Sequence, residues 1–325
     1  MTPPRAIPRA RLDALFSPER LQAWCVVPYD GMRRGPRERA RMLADLGIGS
    51  LAWDWRAEHL PQLGAELDAL EQAGVHLGAL WLPAPLARGG DDDPVRTAIL
   101  DTLAARGLAP QLWTCTMYGG IDAPRSGDPL PAAAQLSMIT RHVEVLLPLA
   151  RDAARIGSTV GLYNHLGWFG EPDHQLDVLD ALADLGSDNV GLVYNQHHGH
   201  HHLEDPDRFA RLWARIRPRV LAVNLNGTVR GGDLPPEQGG PPPGELGGGP
   251  RKVVAVGQGD PELELAALRT IAGSEWDGQV GVIGHTFDDA RARLADDLDG
   301  LAWLVEQLAE PDAAAPPRPS PRVRL

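Results

Sequence analysis

Cysteine is nearly missing from this chain of 325 residues, which holds only Cys25 and Cys115. Two thiols cannot frame a disulfide scaffold, so the composition points to a reducing compartment, and a cytoplasmic location is the expectation. Long apolar runs are missing as well. No stretch approaches the ~18 residues that a membrane span needs, and the opening MTPPRAIPRARLDALFSPERL has no apolar segment of signal-peptide length. Positive charge is short: 31 Lys and Arg face 43 Asp and Glu, for a net charge of −12. Such a surface repels phosphates, so neither nucleic acid nor an anionic membrane is an expected partner. Phenylalanine and tyrosine are scarce, at four each, whereas tryptophan is frequent, at nine. Trp combines a flat apolar face with one N–H donor. Finally, GxSxG, a P-loop, a CxxC pair and HExxH are all absent. Hydrolase, NTPase and redox readings therefore lack support.

What is present is one unit, repeated. Short apolar runs at 24–30, 50–55, 76–83, 110–118, 158–165, 189–195, 219–227 and 279–286 read as strands. Amphipathic stretches separate them, several ending in Gly, the usual C-cap. Repeated β-α units of this size predict a (β/α)8 barrel (a TIM barrel), which typically takes ~250 residues. A doubly wound open sheet is the alternative. The expected organisation is an N-terminal extension over 1–19, the barrel over 20–308 and a Pro-rich tail over 309–325. The tail is expected to be disordered, and the Gly/Pro-rich 231–251 to form a mobile loop after strand 7.

Strand parity predicts which side chains enter the barrel. In RVLAVNLNG, Leu221, Val223 and Leu225 share the helix-facing side, leaving Asn224 and Asn226 to point inward. The same rule selects Tyr163 and His165, Val193 and Asn195, Ile283 and His285, and Asp54 and Arg56. Small or aliphatic residues then fill the lower barrel, and polar ones gather at the C-terminal ends, where barrel enzymes keep their chemistry. Polar residues at strand ends occur in any barrel; their number here favours a functional mouth.

QHHGHHHLEDP (196–206) packs five histidines into six residues. His200, His201 and His202 precede the DP of a helix start, so a solvated loop is expected for them. His59 lies with Asp54, Arg56 and Glu58 in a dense group of charge past strand 2. Trp81, Trp113 and Trp168 stand at strand ends, where an aromatic face can stack on sugar C–H groups or simply fill core. Gly257-Gln258-Gly259-Asp260 is a bare GxG, too weak for a dinucleotide site, and Lys252 before it reads as solvated.

The spacing of YNHLGWFGEP, VGLVYNQHHGH, VLAVNLNG, VGQGD and GVIGHT resembles the sugar phosphate isomerase/epimerase superfamily, the xylose isomerase-like barrels, a group that also includes endonuclease IV-like repair enzymes. The similarity spans about residues 20–308. It implies a (β/α)8 fold and, usually, one divalent metal that polarises a sugar carbonyl or enediolate. The usual ligand positions, however, carry Tyr163, Asn195, Asn224 and Ile283. A divalent cation wants carboxylates or imidazoles, so the usual Mn²⁺ or Mg²⁺ site is expected to be lost. If a metal binds, Zn²⁺ on His165, His198 and His285 is the expectation; no cofactor is certain. His198 matches a histidine found near this point in many members.

The resulting expectation is an isomerase, epimerase or lyase that removes a proton next to the carbonyl of a small carbohydrate. His165 and His198 are the acid/base candidates, with Asp54 or Glu58 as an alternative base. Arg56, Trp81, Trp113, Asn164, Trp168, Asn195, Asn224, Asn226 and His285 are the candidate substrate contacts. The alternative is a non-catalytic sugar-binding barrel. The sequence does not name the sugar or the oligomeric state.

Overall fold

Eight parallel strands close on themselves: β1 (Leu21–Trp24), β2 (Ser50–Trp53), β3 (His76–Trp81), β4 (Gln111–Thr114), β5 (Val160–Tyr163), β6 (Val190–Asn195), β7 (Val220–Leu225) and β8 (Gln279–Ile283). Each pairs with the next, and β8 returns to β1, with Gly281 opposite Gln22. The expected barrel is therefore present, and the open sheet is not. The structure is a computed structural model; it describes residues 6–84, 86, 93–116, 130–165, 167–230 and 253–322. The segment 231–251 and Lys252 lie outside the described residues.

The helices are α1 (Arg9–Phe16), α2 (Pro36–Asp45), α3 (Leu63–Ala73), α4 (Pro94–Ala105), α5 (Ala132–Arg155), α6 (Pro172–Asp184), α7 (His200–Leu203), α8 (Pro206–Ile216), α9 (Pro261–Ala272) and α10 (Ala290–Ala309). Asp-Pro starts three of them. Asp93, Asp205 and Asp260 each accept backbone N–H groups of the first turn, and the proline follows at the position where its missing N–H costs nothing. Gly74 ends α3 in the left-handed region, at φ +69°. In α8 the buried residues Phe209, Leu212, Trp213 and Ile216 recur at helical spacing, which lays one face on the barrel.

The chain packs in two layers, as parity predicts. Val223 and Leu225 of β7 join the large core between strands and helices. The barrel interior takes one residue from every strand: Trp24, Ala52, Ala79, Trp113, Tyr163, Val193, Ala222 and Ile283. Three large aromatics against three alanines fill a narrow space without voids. Gly161 makes room for them, because a Cβ there would come within 2.5 Å of Val193 Cγ2 and 2.9 Å of Trp113 Cδ1. Trp113 is fully buried; truncating such a ring to Ala costs ~3–5 kcal/mol.

Two expectations need adjusting. The first strand stops at Trp24 rather than running to residue 30, because Cys25 adopts φ +59°, which no strand accommodates. The proline-rich tail carries no helix or strand, in line with its composition, yet residues 311–322 are not free. Arg318 donates to the carbonyls of Gly257 and Gly259 at 2.5 and 2.6 Å, and the Arg322 guanidinium meets Asp299 at 2.7 Å. At the opposite end of the chain α1 buries Leu12, Leu15 and Phe16, and the backbone N–H of Ile7 donates to Leu308 O.

Candidate active site

The C-terminal mouth has two sides. On the β5/β6 side the rings of His165 and His198 lie 4.3 Å apart, centroid to centroid. Tyr163 lies beside them, its ring 5.8 Å from that of His198. The Tyr163 hydroxyl accepts from Trp24 Nε1 at 2.9 Å and from Asn195 Nδ2. Two N–H donors occupy its lone pairs, so its own proton remains to be given. Burial pushes the phenol far up, which keeps it a donor. Burial also lowers His165, so its imidazole is neutral near pH 7. Its Nδ1 has no hydrogen-bond partner among the described residues. Asn195 Oδ1 accepts from the backbone N–H of His198, tying the histidine loop to the end of β6.

On the β1/β2/β8 side the groups are charged or stacked. Asp54, 2 % exposed, accepts from Val27 N through Oδ1 at 3.1 Å, while Oδ2 has no partner among the described residues. Burial raises its carboxyl to about 6. Arg56 donates to Asp54 O at 2.8 Å and to the Tyr29 hydroxyl at 3.0 Å. Tyr29 in turn stacks on His285 with ring centroids 3.8 Å apart. Burial, and then the charges of Arg293 and Arg56, depress His285 to about 4. The Cys25 thiol is pushed well up, by burial and then by the Asp54 carboxylate. His59 holds the loop by accepting from Arg56 N through Nδ1. Glu58 is exposed.

Other expected contacts are placed elsewhere. Trp113 fills the barrel interior with its indole N–H on Gln111 Oε1, so it offers no face to a ligand. Trp168 is buried outside the mouth, stacked on His174 and bonded to Gln135. Asn164 spends its amide on the backbone of Asn195, accepting from its N at 2.7 Å and donating to its O at 3.2 Å. It clamps β5 to β6. Asn226 donates to Gly227 O. Asn224 is fully buried, and neither amide atom has a partner among the described residues. Trp81 is half-buried against Trp24 and Tyr163, beside the histidine pair. The GQGD turn is a structural device: Glu264 of α9 accepts from Gly257 N and Gly259 N at 2.6 and 2.9 Å.

The expected solvated loop at 200–202 needs correction. His202 is buried, and both His201 and His202 place Nε2 at 3.2 Å from a Glu171 oxygen. Among the described residues, Glu171, His201 and His202 are the one group of three such side chains whose ligand atoms all lie within 4.8 Å of one another. His165, His198 and His285 do not form such a group. Sequence spacing could not show this, because Glu171 lies 30 residues before His201. Tyr29 and Cys25 were likewise missed as mouth groups, and Tyr163, placed inward by parity, was read only as a replaced ligand position.

No family's sequence profile matches the chain, and no curated protein sequence does. Solved structures do. The 3-keto-D-glucoside 4-epimerase YcjR from E. coli superposes with a TM-score of 0.58 at 15% identity, covering 87% of this chain and 97% of that one. The IolI protein with a bound zinc atom gives 0.56 at 15% identity, over 90% and 98%. A probable 3-DHS dehydratase, AsbF, from Bacillus anthracis gives 0.53 at 12% identity, over 82% and 92%. What this chain shares with them is the fold, a closed (β/α)8 barrel.

In a xylose isomerase-like barrel the resemblance implies a divalent ion at the ends of β5–β8. The residues present do not fit one. Tyr163 is committed to Trp24 and Asn195, Ile283 is apolar and buried, and Asn224 and Asn195 are neutral. A cation there would have no charged or imidazole ligand. The chemistry of this barrel is therefore derived from its side chains alone.

Proposed function

We propose that this barrel is a carbohydrate-modifying enzyme that transfers protons at the carbon next to a carbonyl, without a metal in the usual barrel site. The observation that carries the reading is the His165–His198 pair, 4.3 Å apart and beside the Tyr163 ring. A neutral His165 takes the carbon-bound proton and becomes imidazolium; the electron pair moves onto the carbonyl oxygen as an enediolate. Tyr163 donates its O–H to that developing oxyanion, where a positioned donor is worth most. His198, beside it, is placed to return a proton to the carbon. Return from the opposite face gives an epimer, return at the neighbouring carbon an isomer, and loss of a β-hydroxyl as water an elimination product. Trp81 offers its exposed edge to the sugar's C–H face. Asp54, with one oxygen unpaired, is the alternative base.

Support comes from the fold, which this chain shares with a sugar epimerase and a probable dehydratase. The test is a screen of keto-sugars and sugar phosphates for exchange of a carbon-bound proton with D₂O. Exchange that is abolished in His165→Ala and His198→Ala supports the reading. Exchange that survives both moves the base to Asp54. Sugars that bind without any exchange favour the non-catalytic barrel, which the aromatic filling of the interior also suits.

A further inference from the structure

Behind the histidine pair, away from the barrel axis, the chain builds a second cluster. Glu171 ends the segment that follows β5, immediately before α6. His201 and His202 belong to α7, on the segment that follows β6. His201 Nε2 meets Glu171 Oε1 and His202 Nε2 meets Oε2, each at 3.2 Å. The two imidazole rings are 3.9 Å apart. Neighbours in sequence thus converge on one carboxylate from another loop.

Tyr194 is buried beside the cluster, with its hydroxyl 3.1 Å from Gly199 O and 3.2 Å from His202 Nδ1. That contact turns the other ring nitrogen of His202 toward Glu171, so both imidazoles present Nε2 to the same carboxylate.

We propose that Glu171, His201 and His202 are a Zn²⁺ site with one open position, a clip joining the two loops that carry His165 and His198. The ligand types fit: two imidazoles and a carboxylate are a known three-ligand zinc set. The spacing fits as well. Each imidazole nitrogen lies 3.2 Å from one of the two Glu171 oxygens, and one ligand atom from each of the three residues lies within 4.8 Å of the others, close enough to share one ion. The support fits. Tyr194 holds the ring of His202 from behind through Nδ1, as a partner of a metal-bound histidine does. Access fits too: the His202 side chain is 4 % exposed, but that of His201 is 36 % exposed, so an ion and a fourth, solvent ligand reach the site from its side. Smaller, harder Mg²⁺ prefers oxygen ligands and keeps its waters, so zinc is the better match. The inference does not depend on the sugar chemistry of the mouth.

The test is Zn²⁺ titration of the chelator-treated full chain by calorimetry, with bound metal counted by mass spectrometry. One equivalent is expected in the wild type, with a rise in melting temperature. His201→Ala, at the half-exposed ligand, should lose that equivalent without unfolding; His202→Ala should lose it as well. Tyr194→Phe should weaken binding ~10–100-fold while keeping the stoichiometry. The double variant His165→Ala/His198→Ala should still bind one zinc. If the wild type binds none, the cluster is a plain ion-pair group and the proposal fails. If zinc survives in His201→Ala but vanishes in the His165/His198 variant, the ion belongs to the mouth and the proposal fails too.

Discussion

The two sides of the barrel mouth solve the problem of a buried polar site differently. Among the described residues, the β5/β6 side of the mouth holds no carboxylate or guanidinium: two imidazoles in ring contact stand beside a phenol that is hydrogen-bonded to the Asn195 amide. The β1/β2/β8 side holds charge, with Arg56 beside Asp54, Arg293 acting on His285, and a Tyr29–His285 stack between. Burial acts on both, but with opposite consequences for a base. It lowers His165 and so keeps the proton acceptor in its active form at neutral pH. It raises Asp54 to about 6, which makes it a stronger base but leaves part of it protonated in mildly acidic solution. A neutral imidazole that takes a proton becomes a cation, whose charge the enediolate formed beside it would balance, so the β5/β6 side suits proton transfer from carbon, and the other side suits orienting an anionic or hydroxyl-rich ligand.

The largest expected effect follows directly. His165→Ala and His198→Ala should each lower turnover by roughly 10²–10⁴, the usual share of general acid–base catalysis. Their denaturation midpoints should barely move, because both side chains are only half-buried. His285→Ala should act mainly on KM. Steady-state kinetics on whichever sugar exchanges will separate the two sides; a larger kcat loss in His285→Ala than in His165→Ala would reverse the assignment.

Tyr163→Phe tests the hinge between chemistry and packing. It removes the proton offered to the oxyanion, for which losses of ~10²–10³ in kcat are typical. It also leaves Trp24 Nε1 and the Asn195 amide facing a ring edge. An unsatisfied buried donor costs about 1–3 kcal/mol, so urea denaturation should show a loss even in the absence of substrate. A variant that is less stable but equally active would mark Tyr163 as structural.

Acidity separates the sides by sign. His165 is lowered from ~6.5, so the unfolded chain binds its proton more readily. Its contribution to stability is complete above ~6.5 and fades as pH falls toward the folded value. Asp54 is raised to about 6, so the folded chain keeps its proton longer, and stability is lost as pH rises from ~4 to about 6. Relative to Asp54→Asn, the wild type should therefore weaken over that interval, measured by denaturant midpoints at several pH values. The acidic limb of kcat/KM should fall below ~6.5 and persist in Asp54→Asn. A limb that disappears in that variant identifies Asp54 as the base.

How much of this could be read in the sequence depends on range. The barrel was legible because each β-α unit repeats locally, and parity then placed Tyr163, Val193, Ala222 and Ile283 inside. Local pattern could not foresee that Trp113 and Trp168 would be consumed by packing, since an aromatic at a strand end looks alike whether buried or exposed. Nor could it foresee Glu171 meeting His201 and His202. That contact joins two loops whose approach is set only when β5 and β6 pair. Asn164 shows both cases at once: its inclusion at the mouth was legible, but the clamp it makes to Asn195 was not.

The smallest expected effect closes the comparison. Glu58 lies past β2 in the charged group and is exposed; its charge is felt by His59. A surface carboxylate of this kind has little to lose: substitutions away from buried networks usually stay within about ±0.5 kcal/mol. Glu58→Ala should therefore leave both the denaturation midpoint and the D₂O exchange rate close to wild type. The same variant is the sharpest check on the neutral side's role, because Glu58 competes with His165 for the part of base without sharing any of its contacts. A hundredfold drop in exchange in Glu58→Ala, with His165→Ala active, would place the reacting carbon over β2 and make the histidine pair a binding feature.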